Sequence, residues 1–215
     1  MIYLYAIADR LADLPEIEGI DDVPVARRAC EGLDLAVSEH EAAVDTTEEA
    51  VLAHASVVEA LVPLAEALLP ARFGVAFNDV QALETALGER ADELRESLER
   101  VRGRVELGVR VVGEERREAT TASTGRAYLE ARRATSAEAD RLEGELHDAL
   151  ARRVRAARVS KQSGGRLVLS GAYLVEPDGI PAFQDAIHSL ETEHPHLTFA
   201  LTGPWPAYSF TGVET

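Results

Sequence analysis

A carboxylate and an imidazole four residues apart on a helix can share a divalent metal or pass a proton, and Glu143 and His147 have that spacing. They lie in a stretch crowded with glutamate and arginine, whose ordinary role is an ion-paired, solvated face, so surface pairing is the first reading. His188, His194 and His196 gather near the end of a second helical stretch, where a cationic imidazole favours the negative end of the helix dipole. No carboxylate–histidine motif surrounds them, which leaves capping or loop duty. SGG at 163–165 lacks the Gly-Lys-Ser/Thr ending of a phosphate loop and precedes a strand rather than a helix, so it is a turn. Cys30 follows Arg27 and Arg28, whose charges favour a thiolate, yet a lone cysteine in a strand pattern is more often a small core residue. None of these sets a nucleophile beside a base or gathers metal ligands, so no catalytic residue, cofactor or metal is assigned.

Three other features are more pointed. His54 falls in a helical stretch whose Val51, Ala55, Val58, Leu61 and Leu64 read as buried, so its ring either completes hydrogen bonds within the core or has a functional task; the first reading is favoured. Arg72 and Phe73 stand in PARFG between proline and glycine, a stiff setting in which a guanidinium can bridge carbonyls or grip a carboxylate. With no second anion-binding group recognisable nearby, a structural latch is favoured over a binding arginine. LTGPWPAYSF, residues 201–210, concentrates Trp205, Tyr208 and Phe210 in a chain that is only 5% aromatic. Its prolines and glycine stop the preceding strand at about Thr202 and stiffen an extended arm, with the three aromatic rings filling grooves on the N-terminal domain.

The elements that position these residues follow from periodicity. IYLYAIA, residues 2–8, alternates as a strand; VPVARRAC and LDLAVSEH flank Glu31-Gly32 as a hairpin. Thr46-Thr47 with Glu48-Glu49 starts a helix expected to run to about Leu69, ended by Pro70. ARFGVAFN is a short buried strand or a turn followed by a strand, and Asn78-Asp79 caps an amphipathic helix carrying Val80, Leu83, Leu87, Ala91, Leu94, Leu98 and Val101, closed by Gly103. RVELGVRVV alternates as a strand, and residues 113–125 read as a flexible connection. One long helix or a broken pair fills 126–158, then come a strand over 166–176, a helix with Phe183, Ile187 and Leu190, and a last strand HLTFALT. The expected class is α+β: an N-terminal α+β domain over 1–103, a C-terminal β-α-β-α-β domain close to ferredoxin-like over 104–204, and the arm over 205–215 packing back on the first.

Composition limits the partners. A formal charge of −16 and a pI near 4.8 repel nucleic acid and anionic membranes. No run approaches the apolar length of a bilayer span, and the chain opens without a basic-then-apolar leader, so a soluble, cytoplasmic protein is expected. Cys30 as the sole cysteine excludes an internal disulfide and fits a reducing compartment. Lys161 is the only lysine beside many arginines, an acidic, lysine-poor balance that suits a salt-rich cytoplasm, where a Debye length of roughly 3 Å at 1 M screens self-repulsion. A GC-rich genome is the plainer source of arginine over lysine.

In order along the chain, LYAIAD, the His54 helix running into LLPARFG, then VELGVRV, AYLV and LTGPWPAYSF resemble the gas vesicle protein F/L family over essentially the whole length. LTGPWPAYSF is the most specific piece and PARFG the next. Ala71 and Ala207 depart from the pattern, where a larger apolar residue and a second proline are usual. The resemblance implies a non-enzymatic accessory protein for gas vesicles with two α+β domains, the second a modified ferredoxin-like fold. It further implies contact with the major hydrophobic shell protein during nucleation and with other gas vesicle accessory proteins, and it allows retention as a minor wall component. No small-molecule substrate is implied. The acidic, lysine-poor composition suits a haloarchaeal member, and at 215 residues the chain is nearer the shorter F-type than the longer L-type. The rival reading is a regulatory or small-ligand-binding α+β module, because ferredoxin-like folds host unrelated functions.

From the charge balance we predict that thermal stability rises with added salt, read as the melting temperature in molar KCl against dilute buffer. Full folding without salt, with no shift on adding it, would contradict the halophilic reading.

Overall fold

In a computed structural model of the chain, residues 1–113, 125–160 and 166–211 are described, with backbone alone for 125–136. The flexible connection expected over 113–125 lies, apart from its ends, outside these residues, as do the SGG turn at 163–165 and Lys161. The chain divides into two compact units, Met1–Val105 with Trp205–Thr215, and Glu106–Pro204.

The first unit is built around β1 (Ile2–Ala8), all of whose residues are buried. Tyr3 and Tyr5 share one face by the two-residue strand period, and an irregularity between Leu4 and Ala6 passes that face on to Ala6 and Ala8. Two strands, β2 (Ala26–Cys30) and β3 (Leu33–Glu39), form the expected hairpin. Its turn places Glu31 at φ 49° and Gly32 at φ 76°, the left-handed pair that matches strand twist. With β4 (Leu68–Pro70) the sheet order is β2-β3-β1-β4, and β5 (Ala76–Phe77) pairs with the start of β1.

Helix α1 (Glu48–Leu61) is capped by the Thr47 hydroxyl, which accepts from the Ala50 N–H. It buries Ala50, His54, Val57, Val58 and Leu61 against the tyrosine face. The helix stops at Leu61 rather than near Leu69, because Pro63 follows and a short 3-10 turn takes over. Leu68–Pro70 is instead a strand, held by its pairing with Ala6–Ala8. Val51, expected inside, is 41% exposed. The long amphipathic stretch is two helices, α2 (Val80–Gly88), capped by Asp79, and α3 (Ala91–Val101), broken after Gly88 but keeping one buried line through Leu83, Leu87, Ala91, Leu94, Leu98 and Val101.

In the second unit the element order is β6 (Val105–Val112), α4 (Gly125–Ala151), β7 (Ala156–Val159), β8 (Leu167–Val175), α5 (Ile180–Glu193) and β9 (Thr198–Trp205). The sheet order is β7-β8-β6-β9. Leu107, Val109 and Val111 of β6 meet Leu146 and Leu150 of α4, Tyr173 of β8, and Phe183 and Ile187 of α5 in one apolar core. Two expectations fail here. Residues 156–158, read as the end of the helical stretch, fall instead in the strand β7, because Ala156–Val159 pairs antiparallel with Gly171–Leu174. The last strand does not stop at Thr202 but continues through Gly203 and Pro204 to Trp205, which proline tolerates on an edge strand.

Candidate functional site

The strongest polar constellation lies in the first unit and begins at His54, only 3% exposed on α1. Its Nε2 faces the Ala71 carbonyl at 3.1 Å, and its Nδ1 faces the Tyr3 hydroxyl at 3.0 Å. A carbonyl only accepts, so Nε2 carries the proton and Nδ1 accepts from the Tyr3 O–H. The Tyr3 oxygen in turn accepts from the Gly74 N–H at 3.0 Å. The relay thus joins β1, α1 and the turn that connects β4 to β5, and each of its members has a partner.

Aromatic rings enclose the imidazole. Tyr5 stacks on it with centroids 5.5 Å apart, while Tyr3 and Phe73 approach edge-on at 5.7 and 5.9 Å. Burial pushes the His54 pKa below its ordinary 6.5, against the opposing bond to Ala71, and burial pushes the Tyr3 hydroxyl up to about 12. A second chain of bonds starts at Tyr5, whose hydroxyl accepts from the Ile20 N–H at 3.0 Å and meets the Ser38 hydroxyl at 3.0 Å; Ser38 then reaches His40 Nε2 at 2.8 Å. Gly19 permits the first of these, since a Cβ there would collide with the Tyr5 hydroxyl.

The other residues named from the sequence divide. Phe73 is half-buried on the tyrosine–histidine cluster, whereas Arg72 next to it is exposed, its carbonyl accepting from the Val75 N–H at 3.3 Å. In the arm, Ala207 and Phe210 are buried and Tyr208 packs against the same core cluster as His54. The Tyr208 hydroxyl is pushed up to about 12 by burial and by the nearby Glu59 carboxylate of α1. Trp205 does not fill a groove: it is 47% exposed at the end of β9. The arm is therefore anchored by Phe210, not by its tryptophan.

The weaker candidates take ordinary roles. His147 Nδ1 meets the Tyr173 hydroxyl at 3.3 Å, and burial raises the Tyr173 pKa, with Glu143 adding to it. His188 faces Glu191 at 3.6 Å on an exposed helix surface, and the His194 and His196 rings lie 6.0 Å apart. Burial, then Glu84 and Glu31, raise the Cys30 thiol, which removes the activated-thiolate alternative. Among the described residues no group of three or more His, Cys, Asp or Glu could hold a metal ion, and no helix is long and apolar enough to cross a membrane.

Sequence reasoning missed the Tyr3 and Tyr5 partners, although their two-residue spacing in IYLYAIA had placed them on one face. It also missed Arg102, which binds Asp9 at 2.6 Å, Glu99 at 2.7 Å and Glu66 at 3.2 Å. The i,i+3 spacing of Glu99 and Arg102 is a local signal, but none links Arg102 to Asp9 or Glu66, 93 and 36 residues away.

What these observations define is a protein of mixed helix and sheet, with two sheets, whose buried histidine and tyrosines bond within their own units. The family model for the gas vesicle synthesis protein GvpL/GvpF matches residues 1–212. The chain is 30% identical to gas vesicle protein F2 of Halobacterium salinarum, over 99% of this chain and 93% of that one. It is 31% identical to gas vesicle protein L of a Streptomyces species, over 79% and 71% of the respective chains. Its fold is similar to the crystal structure of GvpF from Anabaena, with a TM-score of 0.83 at 17% identity and coverage of 100% and 97%. GvpF from Microcystis aeruginosa gives 0.80 at 17% identity, covering 99% of each chain. The chain belongs to the GvpL/GvpF family of gas vesicle synthesis proteins, and its role is in gas vesicle assembly.

Two predictions follow from this geometry. Because the folded pKa of His54 lies below the unfolded value, its contribution to stability is complete above about 6.5 and is lost as pH falls below it. Unfolding titrations should show that acid loss shrinking in His54→Gln, while Tyr3→Phe, which strips partners from Nδ1 and the Gly74 N–H, should cost about 1–3 kcal/mol at neutral pH. Separately, Phe210→Ala should cost about 3–5 kcal/mol, whereas Trp205→Ala should leave the melting temperature nearly unchanged; equal losses in calorimetry would contradict the assignment of the anchor.

Proposed function

We propose that this chain acts in gas vesicle assembly by binding the major hydrophobic shell protein during nucleation and remaining as a minor component of the wall. The observation that carries the reading is the family match over nearly the whole chain, residues 1–212, so that both units fall within it. A shell subunit with an exposed apolar face aggregates before it assembles, and a partner that covers this face while carrying a large net charge keeps the complex dispersed. The formal charge of −16 suits the second task. The two units are proposed as the working domains: an N-terminal α+β domain over 1–103, a modified ferredoxin-like domain over 104–204, and an arm over 205–215 that closes on the first. The strand–helix–strand–strand–helix–strand order of the second unit and its β7-β8-β6-β9 sheet support the ferredoxin-like description.

Other gas vesicle accessory proteins are proposed as further partners, and no enzymatic step is part of the reading. The test is capture of the purified shell protein by the immobilised full chain, together with fractionation of isolated vesicles. Retention on the bead and a trace of the chain in washed walls are the expected outcomes. A chain that never captures shell protein would contradict the binding role, and its absence from washed walls would contradict retention.

A further inference from the structure

Each sheet ends in strands whose outer backbone groups can accept another strand, and natural edges are blunted by charge, proline or brevity. Three of the four sheet ends follow that rule. The edge strand β2 carries Arg27 and Arg28, the latter paired with Glu39 at 3.2 Å. At the opposite end β4 is three residues long, wholly buried and closed by Pro70. In the second sheet β7 has four residues and carries the exposed Arg158.

The fourth end, β9, lacks these protections over most of its length. It runs for eight residues, TFALTGPW, with no charged side chain, in a chain that is 28% charged. Phe199 and Leu201 turn into the core cluster, while Thr198, Ala200 and Thr202 are exposed. Among the described residues β9 is the last strand of its sheet. Pro204 limits further pairing, so Thr198–Gly203 is the available stretch, about 20 Å long at the strand rise.

We propose that the outer edge of β9 is the line along which this protein takes up an extended, uncharged segment of the shell protein, adding a fifth strand to the second sheet. This rests on the shell-binding reading above. The charge selects the occupant: in dilute buffer, where little salt screens them, two copies of this chain each carry −16 and repel, whereas an uncharged strand meets an edge that is itself uncharged. The open ladder specifies the form, since only an extended backbone satisfies its N–H and C=O groups along the whole length.

The test uses the immobilised full chain and the purified shell protein held in detergent. Ala200→Lys and Ala200→Glu place opposite charges on the exposed edge, and Ala26→Lys places one on β2 as a control. Both Ala200 variants should lose capture by about tenfold or more, and Ala26→Lys should capture as the wild type does. In parallel, hydrogen exchange on the wild type should show β9 amides slowed by shell protein and β2 amides not. Undiminished capture by both Ala200 variants, or exchange in β9 that shell protein leaves unchanged, overturns the edge while leaving the shell-binding reading intact. A loss confined to one sign of charge assigns the contact to electrostatics and overturns it too. Dimers of the wild type that Ala200→Lys dissolves would give the edge to a second copy instead, and a wild type that captures nothing removes both proposals.

Discussion

One buried imidazole holds the first unit in register. His54 is buried with both ring nitrogens bonded, and burial disfavours its charged form, so it is held inside as the neutral tautomer. Those bonds fix three otherwise independent pieces: Tyr3 on the central strand, the helix that carries His54, and the turn that supplies the Ala71 carbonyl and the Gly74 N–H. In an aromatic enclosure each bond is stronger than in water, and each lost partner is correspondingly costly. The arrangement therefore specifies geometry more than it adds stability. It also gives the buried imidazole a structural task within the first unit.

The two units solve burial differently. In the first, tyrosine hydroxyls, Ser38 and histidines form connected polar chains among aromatic rings. In the second, the core is aliphatic with Tyr173 and Phe183, and the polar contact from Tyr173 goes outward to His147. The aliphatic packing leaves α4 and α5 on the sheet through burial alone, at about 25 cal/mol per Å² of apolar area removed from water. What differs at the periphery matters more for function. Charge is dense almost everywhere, but β9 presents backbone and small uncharged side chains.

The electrostatic frame is uneven in the same way. Most ion pairs are exposed and add little. Arg102 is buried to the same degree as Arg28 and Arg90, but it draws Asp9, Glu66 and Glu99 together from three parts of the first unit. Burial of Asp9 acts to raise its pKa, and the bonds from Arg102 and the Arg10 N–H reverse that, so the carboxyl ends below its usual range. With so few cations against so many carboxylates, one guanidinium serving three acids relieves local repulsion where a separate pair for each could not be formed.

The sequence by itself determined what depends on neighbours a few residues away. The Glu31-Gly32 turn needs left-handed dihedrals that those residues tolerate, Thr47 and Asp79 cap the helices that follow them, and the apolar rows of α2, α3 and α5 are read from spacing. The order of motifs likewise carried the family. Tertiary structure decided everything that rests on distant partners. Leu68–Pro70 and Ala156–Val159 become strands only because β1 and β8 offer them ladders, overriding a local pattern that reads as helix. His54 meets a tyrosine 51 residues away, Arg102 an aspartate 93 away, and Phe210 rather than Trp205 anchors the arm. Propensity and dihedral preference act within a turn or two of chain, whereas which side chain is buried depends on surfaces that exist only after the fold has brought remote segments together.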